Sequence, residues 1–138
     1  MVESDRTGGC MCGGARFRAR GEPKRAGICH CTTCQRNSGS AFLAFAVFPR
    51  QNVDLTGETK SYIGETGTHL FCPTCGSTIG FVGKSGEEID LALGIFDKQP
   101  DFRPEYELWV RRRHHWLPRV EGLRSYKENR DGSPLEEA

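Results

Sequence analysis

"CHCTTCQRNSGSAF", residues 29–42, packs three cysteines into six positions, then makes a polar turn into apolar chain. A C-x-C and a C-x-x-C share Cys31, so three sulfurs can converge on one ion with little loop to order. A structural zinc takes four protein ligands in a tetrahedron, whereas a catalytic zinc keeps three and leaves one position open. The fold reading turns on where a fourth ligand comes from, if it comes at all.

Four further cysteines stand in two short turns, Cys10 and Cys12 in "GGCMCGG" and Cys72 and Cys75 in "FCPTCGS". In an extended chain Cys10 and Cys12 leave the same face, and the flanking glycines let the backbone bend close to an ion. Pro73 fixes the turn between Cys72 and Cys75, and Gly76 permits the conformation that follows. These four make a closed tetrahedral site that staples the first strand to the middle of the chain.

That pairing leaves Cys29, Cys31 and Cys34 one ligand short. His30 faces away from the ion in an extended chain, His69 lies near the other cysteine turn, and His114 and His115 lie far down the sequence. An open catalytic site, a second site closed by a histidine or by a partner chain, and a metal-free redox trio all stay available. Seven cysteines, an odd number and all clustered, fit a disulfide framework poorly.

Zinc with three thiolates carries a formal charge of −1, which suits water activation less than a histidine-held ion does. A soft, sulfur-rich site favours a thiol as fourth ligand, deprotonated and held beside an electrophile. Arg36, Asn37 and Ser38 follow Cys34 directly and are candidate donors to offset the added charge; an ordinary polar turn is the other reading.

The 138 residues are 36% apolar with 17 glycines, a modest core with many turns. A net charge of +1 generates no field that would favour nucleic acid or an anionic membrane. The start, "MVESDRTGG", lacks the apolar stretch of a signal peptide. The longest apolar run, "AFLAFAVF" at 41–48, is far too short to span a bilayer. A cytoplasmic protein is expected, with one domain over residues 1–126. Residues 127–138, "KENRDGSPLEEA", have little apolar content and read as a flexible tail.

Patterning elsewhere is of the strand kind: "ARFRA", "AFLAFAVF", "KSYIGE", "THLFC" and "TIGFVG". "EIDLALGIF" alternates Ile89, Leu91, Leu93 and Ile95, and "YELWVRR" alternates Tyr106, Leu108 and Val110. Short helices fit only "CTTCQRN" and "VEGLRSYKENR". An all-β fold follows. "RRRHH" at 111–115 reads as a solvated edge strand, as a grip for substrate carboxylates, or as a nucleic-acid face, the last opposed by the net charge.

"GGCMCGGARF", "CHCTTCQRNSGSAF" and "FCPTCGSTIG", in that order over about 10–80, resemble the glutathione-dependent formaldehyde-activating family, which includes the centromere-protein-V-like proteins. The resemblance implies a β-tent fold with two zinc ions. Cys10, Cys12, Cys72 and Cys75 correspond to the structural site; Cys29, Cys31 and Cys34 correspond to the catalytic one, where glutathione coordinates. It further implies a carbon–sulfur lyase acting on S-hydroxymethylglutathione, with a small thiol and an aldehyde as partners. Glu107 departs from the pattern, standing where relatives often carry histidine, whereas Trp116 matches a common tryptophan. Two other functions are weighed beside this one: a zinc-stabilised binding module for protein or nucleic acid, and a carrier of the spontaneously formed adduct. A homo-oligomer is left open.

Overall fold

A computed structural model describes residues 4–132. The strands are β1 (Arg6–Gly9), β2 (Ala15–Ala19), β3 (Arg25–Cys29), β4 (Leu43–Pro49), β5 (Val53–Gly57), β6 (Lys60–Ile63), β7 (Gly67–Phe71), β8 (Thr78–Gly83), β9 (Glu88–Ala92), β10 (Tyr106–Leu108) and β11 (Arg124–Ser125). The single α-helix among the described residues, α1, spans Thr32–Ser38. Two sheets form, one ordered β1-β2-β5 and the other β11-β10-β3-β4-β9-β8-β7-β6. The expected all-β, β-tent architecture is what the chain adopts, although β10 pairs parallel with both β3 and β11.

Strand β4 explains the long apolar run at 41–48. Side chains alternate across a strand, and both faces here are covered. Ala46 and Phe48 join Ile89 and Leu91 of β9 against Phe17, Ala19 and Val53 of the small sheet, forming the main core. Phe45 and Val47 point the other way and pack with Cys29, Cys31, Tyr106 and Trp109. Burial on both faces removes the polar half of the usual alternation.

Two expected strands end early. After Ala92 the chain turns into a 3-10 segment at Leu93–Ile95, and after Leu108 another covers Val110–Arg112. Between them stands Trp109, the one non-glycine residue at positive φ among the described residues (56°). An aromatic side chain in the left-handed region is strained. Here it is held by Trp109 N–H donating to Glu128 O (3.1 Å) and by Nε1–H donating to Asn129 Oδ1 (2.9 Å). The edge-strand reading of "RRRHH" therefore fails, because the chain leaves the sheet at Trp109. "VEGLRSYKENR" likewise yields the short strand β11 instead of a helix.

The same bonds bear on the chain's end. Residues 127–132, expected to begin a flexible tail, pack back on Trp109 through Glu128 and Asn129, and Arg130 lies over the Tyr106 ring of β10 at 5.5 Å. Sparse apolar content concealed this, because the attachment is made by backbone and polar groups. The rest of that stretch, 133–138, lies outside the described residues. Close approach at Gly27 lets β10 lie beside β3: a Cβ there would sit 2.6 Å from the Tyr106 ring.

Candidate active site

Cys10, Cys12, Cys72 and Cys75 come together where the β1–β2 hairpin meets the turn between β7 and β8. Cys10 and Cys12 converge through a tight turn, with Gly13 N–H donating to Cys10 O, and not through the extended chain expected. The Cys12 sulfur lies 3.6 Å from that of Cys10 and 3.7 Å from that of Cys72. Four sulfurs about 2.3 Å from a zinc would stand roughly 3.8 Å apart, so this donor set fits the ion. Backbone N–H groups of Ala15, Gly14 and Thr74 point at the sulfurs of Cys10, Cys12 and Cys72 and ease thiolate charge. Cys75 is pulled down to about 5, chiefly by the Ser77 hydroxyl and N–H. Gly76 follows at a φ of 75°, as the turn requires.

Cys29, Cys31 and Cys34 form a second group, all three sulfurs within 4.8 Å of one another. Cys29 ends β3, Cys31 caps α1, and Cys34 lies one turn into the helix. Cys31 Sγ accepts from Cys34 N–H at 3.3 Å. Its thiol is drawn down to about 3, first by hydrogen bonds from the Cys29 and Cys34 thiols and also by backbone N–H groups. Cys29 is pushed up to about 12 by that same neighbour. The trio thus takes its first negative charge on Cys31.

Among the described residues no histidine or carboxylate joins either cysteine group. His30, buried, hydrogen-bonds Glu107 Oε1 through Nε2 at 2.9 Å and so turns away, as the extended-chain reading expected. His114 Nδ1 accepts from the Trp116 indole, which leaves Nε2–H to donate to Gln35 Oε1 at 2.8 Å. His69, expected beside Cys72 and Cys75, instead lines the cavity next to the trio.

That cavity, about 330 Å³, opens on Cys29, Cys31 and Cys34. Its walls are largely apolar, with Phe45, Phe81, Leu108 and Trp109, and Asn37 and Thr33 of α1 reach it near the sulfurs. Of the candidate donors, Asn37 lines the cavity, whereas Arg36 is exposed in a shallow recess beside it that shares Thr33, Asn37, His69 and Thr78. Ser38 is engaged elsewhere: its hydroxyl contacts Gln35 O and Phe42 O and closes the helix end.

Behind the trio lies a buried polar cluster. Glu107 Oε2 accepts from Arg113 Nη2 at 3.0 Å and from Ser125 Oγ at 3.4 Å, while Oε1 faces His30. Burial raises the Glu107 carboxyl, but His30 and Arg113 outweigh it and hold the group below its ordinary value. Glu107 thus supports, through His30, the turn between two of the trio's cysteines. Arg111 pairs with Glu128 at 3.3 Å, and the Arg111 and Arg112 guanidiniums lie over the Trp109 ring. None of the three arginines lines the cavity. Sequence reasoning missed Gln35, which ties α1 to His30 O and Arg112 O. It also missed Asp90 and Asn129 on the cavity wall. Only Asp90 left a signal, as a carboxylate in the off-phase of "EIDLA".

No helix is long and apolar enough to cross a membrane among the described residues. The family model for glutathione-dependent formaldehyde-activating enzymes matches residues 5–112. An uncharacterized lyase of Schizosaccharomyces pombe is 28% identical over 81 residues, covering 58% of this chain and 59% of that protein's length. A crystal structure of a Rhodobacter sphaeroides protein superposes with a TM-score of 0.55 at 21% identity, covering 69% of this chain and 91% of the other. With the family model matched over most of its length, the chain belongs to the glutathione-dependent formaldehyde-activating enzyme family.

Proposed function

We propose that the protein is a zinc-dependent carbon–sulfur lyase-type enzyme that makes or breaks the adduct of a small thiol, glutathione foremost, with an aldehyde such as formaldehyde. The observation that carries this reading is a trio of thiols, one ligand short, at the wall of an apolar cavity. One zinc held by Cys10, Cys12, Cys72 and Cys75 would be structural. A second, held by Cys29, Cys31 and Cys34, would supply a soft Lewis acid that stabilises a substrate thiolate.

The chain's own residues do the remaining work. Glu107 and Arg113 fix His30, and through it the turn between Cys29 and Cys31. Phe45, Leu108 and Trp109 keep water from the sulfur, which raises its nucleophilicity. Asn37, on the cavity wall, would donate its amide N–H to oxygen developing negative charge. In the forward direction the thiol loses its proton, its sulfur bonds to the aldehyde carbon, and the C=O π pair moves to oxygen, which takes up a proton. Cleavage runs the same steps backwards. Arg36 at the rim can pair with a substrate carboxylate. The unpaired cysteines suit the reducing cytoplasm.

Exchange spectroscopy by NMR on glutathione and formaldehyde tests the proposal. Interconversion with S-hydroxymethylglutathione should run faster with the protein than without it, and the gain should vanish in Cys31→Ser. Equal rates with and without metal-replete protein refute the enzyme and leave a carrier of the adduct.

A further inference from the structure

The thiol chemistry proposed above uses the cysteines of the cavity wall, and the same wall holds a carboxylate that this chemistry leaves unused. Asp90 on β9 pairs with Val47 of β4 on one side and Phe81 of β8 on the other. It stands in the opposite phase to the core residues Ile89 and Leu91, so it faces the cavity. Ala92, Phe45 and Phe81 share that wall, and no described side chain hydrogen-bonds the Asp90 carboxyl.

Its charged surroundings come from several elements. Arg25 of β3 is already gripped by Glu88 at 2.7 Å, and Lys24 bonds the same carboxylate. Arg130 lies over Tyr106 of β10, and His69 of β7 sits on the cavity wall. Burial dominates and pushes the Asp90 carboxyl up to about 7, with Arg25 and Arg130 opposing. An acid in this state wants a cation, and the protein supplies none in contact. A half-buried carboxylate on an apolar wall, with no cation in contact, is poorly stabilised, and a bound ammonium would relieve that cost while ionising the acid.

We infer that Asp90 is a specificity-determining residue, which receives an ammonium group that the thiol substrate carries at a distance from its sulfur. The inference rests on the reading that a thiol binds at Cys29, Cys31 and Cys34. Asp90 lies two strands across and four residues along from Cys29. Strand geometry makes this on the order of 15 Å between Cα atoms. A two-carbon thiol cannot reach across, whereas an extended tripeptide spans about 10 Å, and the side chains at both ends shorten the gap. Selected substrates are therefore peptide-sized thiols with a free amino group, which sets them apart from small thiols and from N-acylated peptides.

The test is calorimetric titration of the zinc-replete protein and its Asp90→Asn variant with glutathione, N-acetylglutathione and 2-mercaptoethanol. Asparagine keeps the shape and removes the charge. Loss of a charge-assisted hydrogen bond should weaken glutathione about 10-fold or more, while 2-mercaptoethanol binds both proteins alike. N-acetylglutathione should bind the unmodified protein as weakly as glutathione binds the variant. Undiminished glutathione binding in Asp90→Asn, or an equal loss for all three thiols, overturns the assignment of Asp90 while sparing the thiol site. Failure of every thiol to bind the unmodified protein overturns both. Thermal melting of Asp90→Asn separates misfolding from lost recognition: the variant should melt no lower than its parent, and the Asp90→Ser variant should repeat the glutathione loss.

Discussion

Glu107 offers the sharpest perturbation of the framework behind the trio. Its side chain and that of His30 are 2% and 1% exposed, so neither has water to fall back on. Glu107→Ala deletes the acceptor of the His30 bond (2.9 Å) and of the Arg113 bond (3.0 Å) together. Breaking a buried pair by removing one partner costs roughly 3–5 kcal/mol, because the charge left behind stays buried and uncompensated. Arg113 is 20% exposed and recovers some hydration, which places the expected loss near the lower end, about 3 kcal/mol. Glu107→Gln keeps one acceptor oxygen and should lose about 1–2 kcal/mol. Urea unfolding of the zinc-replete protein at pH 7, followed by circular dichroism, measures both. The damage should also reach the metal: with His30 freed, a chelator should strip the trio faster than the four-cysteine site. An unfolding free energy for Glu107→Ala within about 1 kcal/mol of the parent would refute the reasoning.

Other outcomes follow from the same geometry. Glu88 is held down to about 2 from an ordinary 4.5 by Arg25 first and Lys24 second. A carboxylate lowered by folding contributes stability above its unfolded value and loses it as pH falls from about 4.5 towards 2. Glu88→Gln should therefore cost about 1–2 kcal/mol at pH 7, its partial exposure allowed for, and almost nothing at pH 2, as read by urea midpoints across pH. Cys75→Ser removes one thiol of the four-cysteine group where the two sheets are joined and, on the proposed zinc site, should lower the melting temperature by about 10 °C or more. Cys31→Ser should lower it by less than half as much and still release one zinc, checked by scanning calorimetry with metal analysis. Equal melting losses would contradict the division into a structural and a substrate-facing site.

The cysteine clusters were legible in the sequence because chelation demands short, fixed spacings, and the pairing of Cys10 and Cys12 with Cys72 and Cys75 could be argued from ligand number alone. Strands β2, β4, β8 and β9 were legible too, since burial imposes a period of two or, for β4, a continuous apolar run. What lay hidden was mostly long-range and polar. Glu107 meets His30 across 77 positions, and Gln35 meets His114 across 79. No local pattern encodes such partners. The left-handed turn at Trp109 ended a strand that alternation alone would have continued, and its cause, Glu128 and Asn129, stands some twenty residues on. Asp90 was visible as a misplaced carboxylate in "EIDLA", but its meaning depended on what faced it.

The proposed chemistry depends on one ion site, at Cys29, Cys31 and Cys34, that the polypeptide leaves a ligand short. Zinc-edge X-ray absorption on protein carrying two zinc ions counts sulfur neighbours directly. Without thiol, the mean sulfur number should fall midway between that of a three-sulfur and a four-sulfur site, and saturating glutathione should raise it to four at both ions. Four sulfurs per zinc before any thiol is added, or a nitrogen ligand at the trio that glutathione fails to displace, would contradict it.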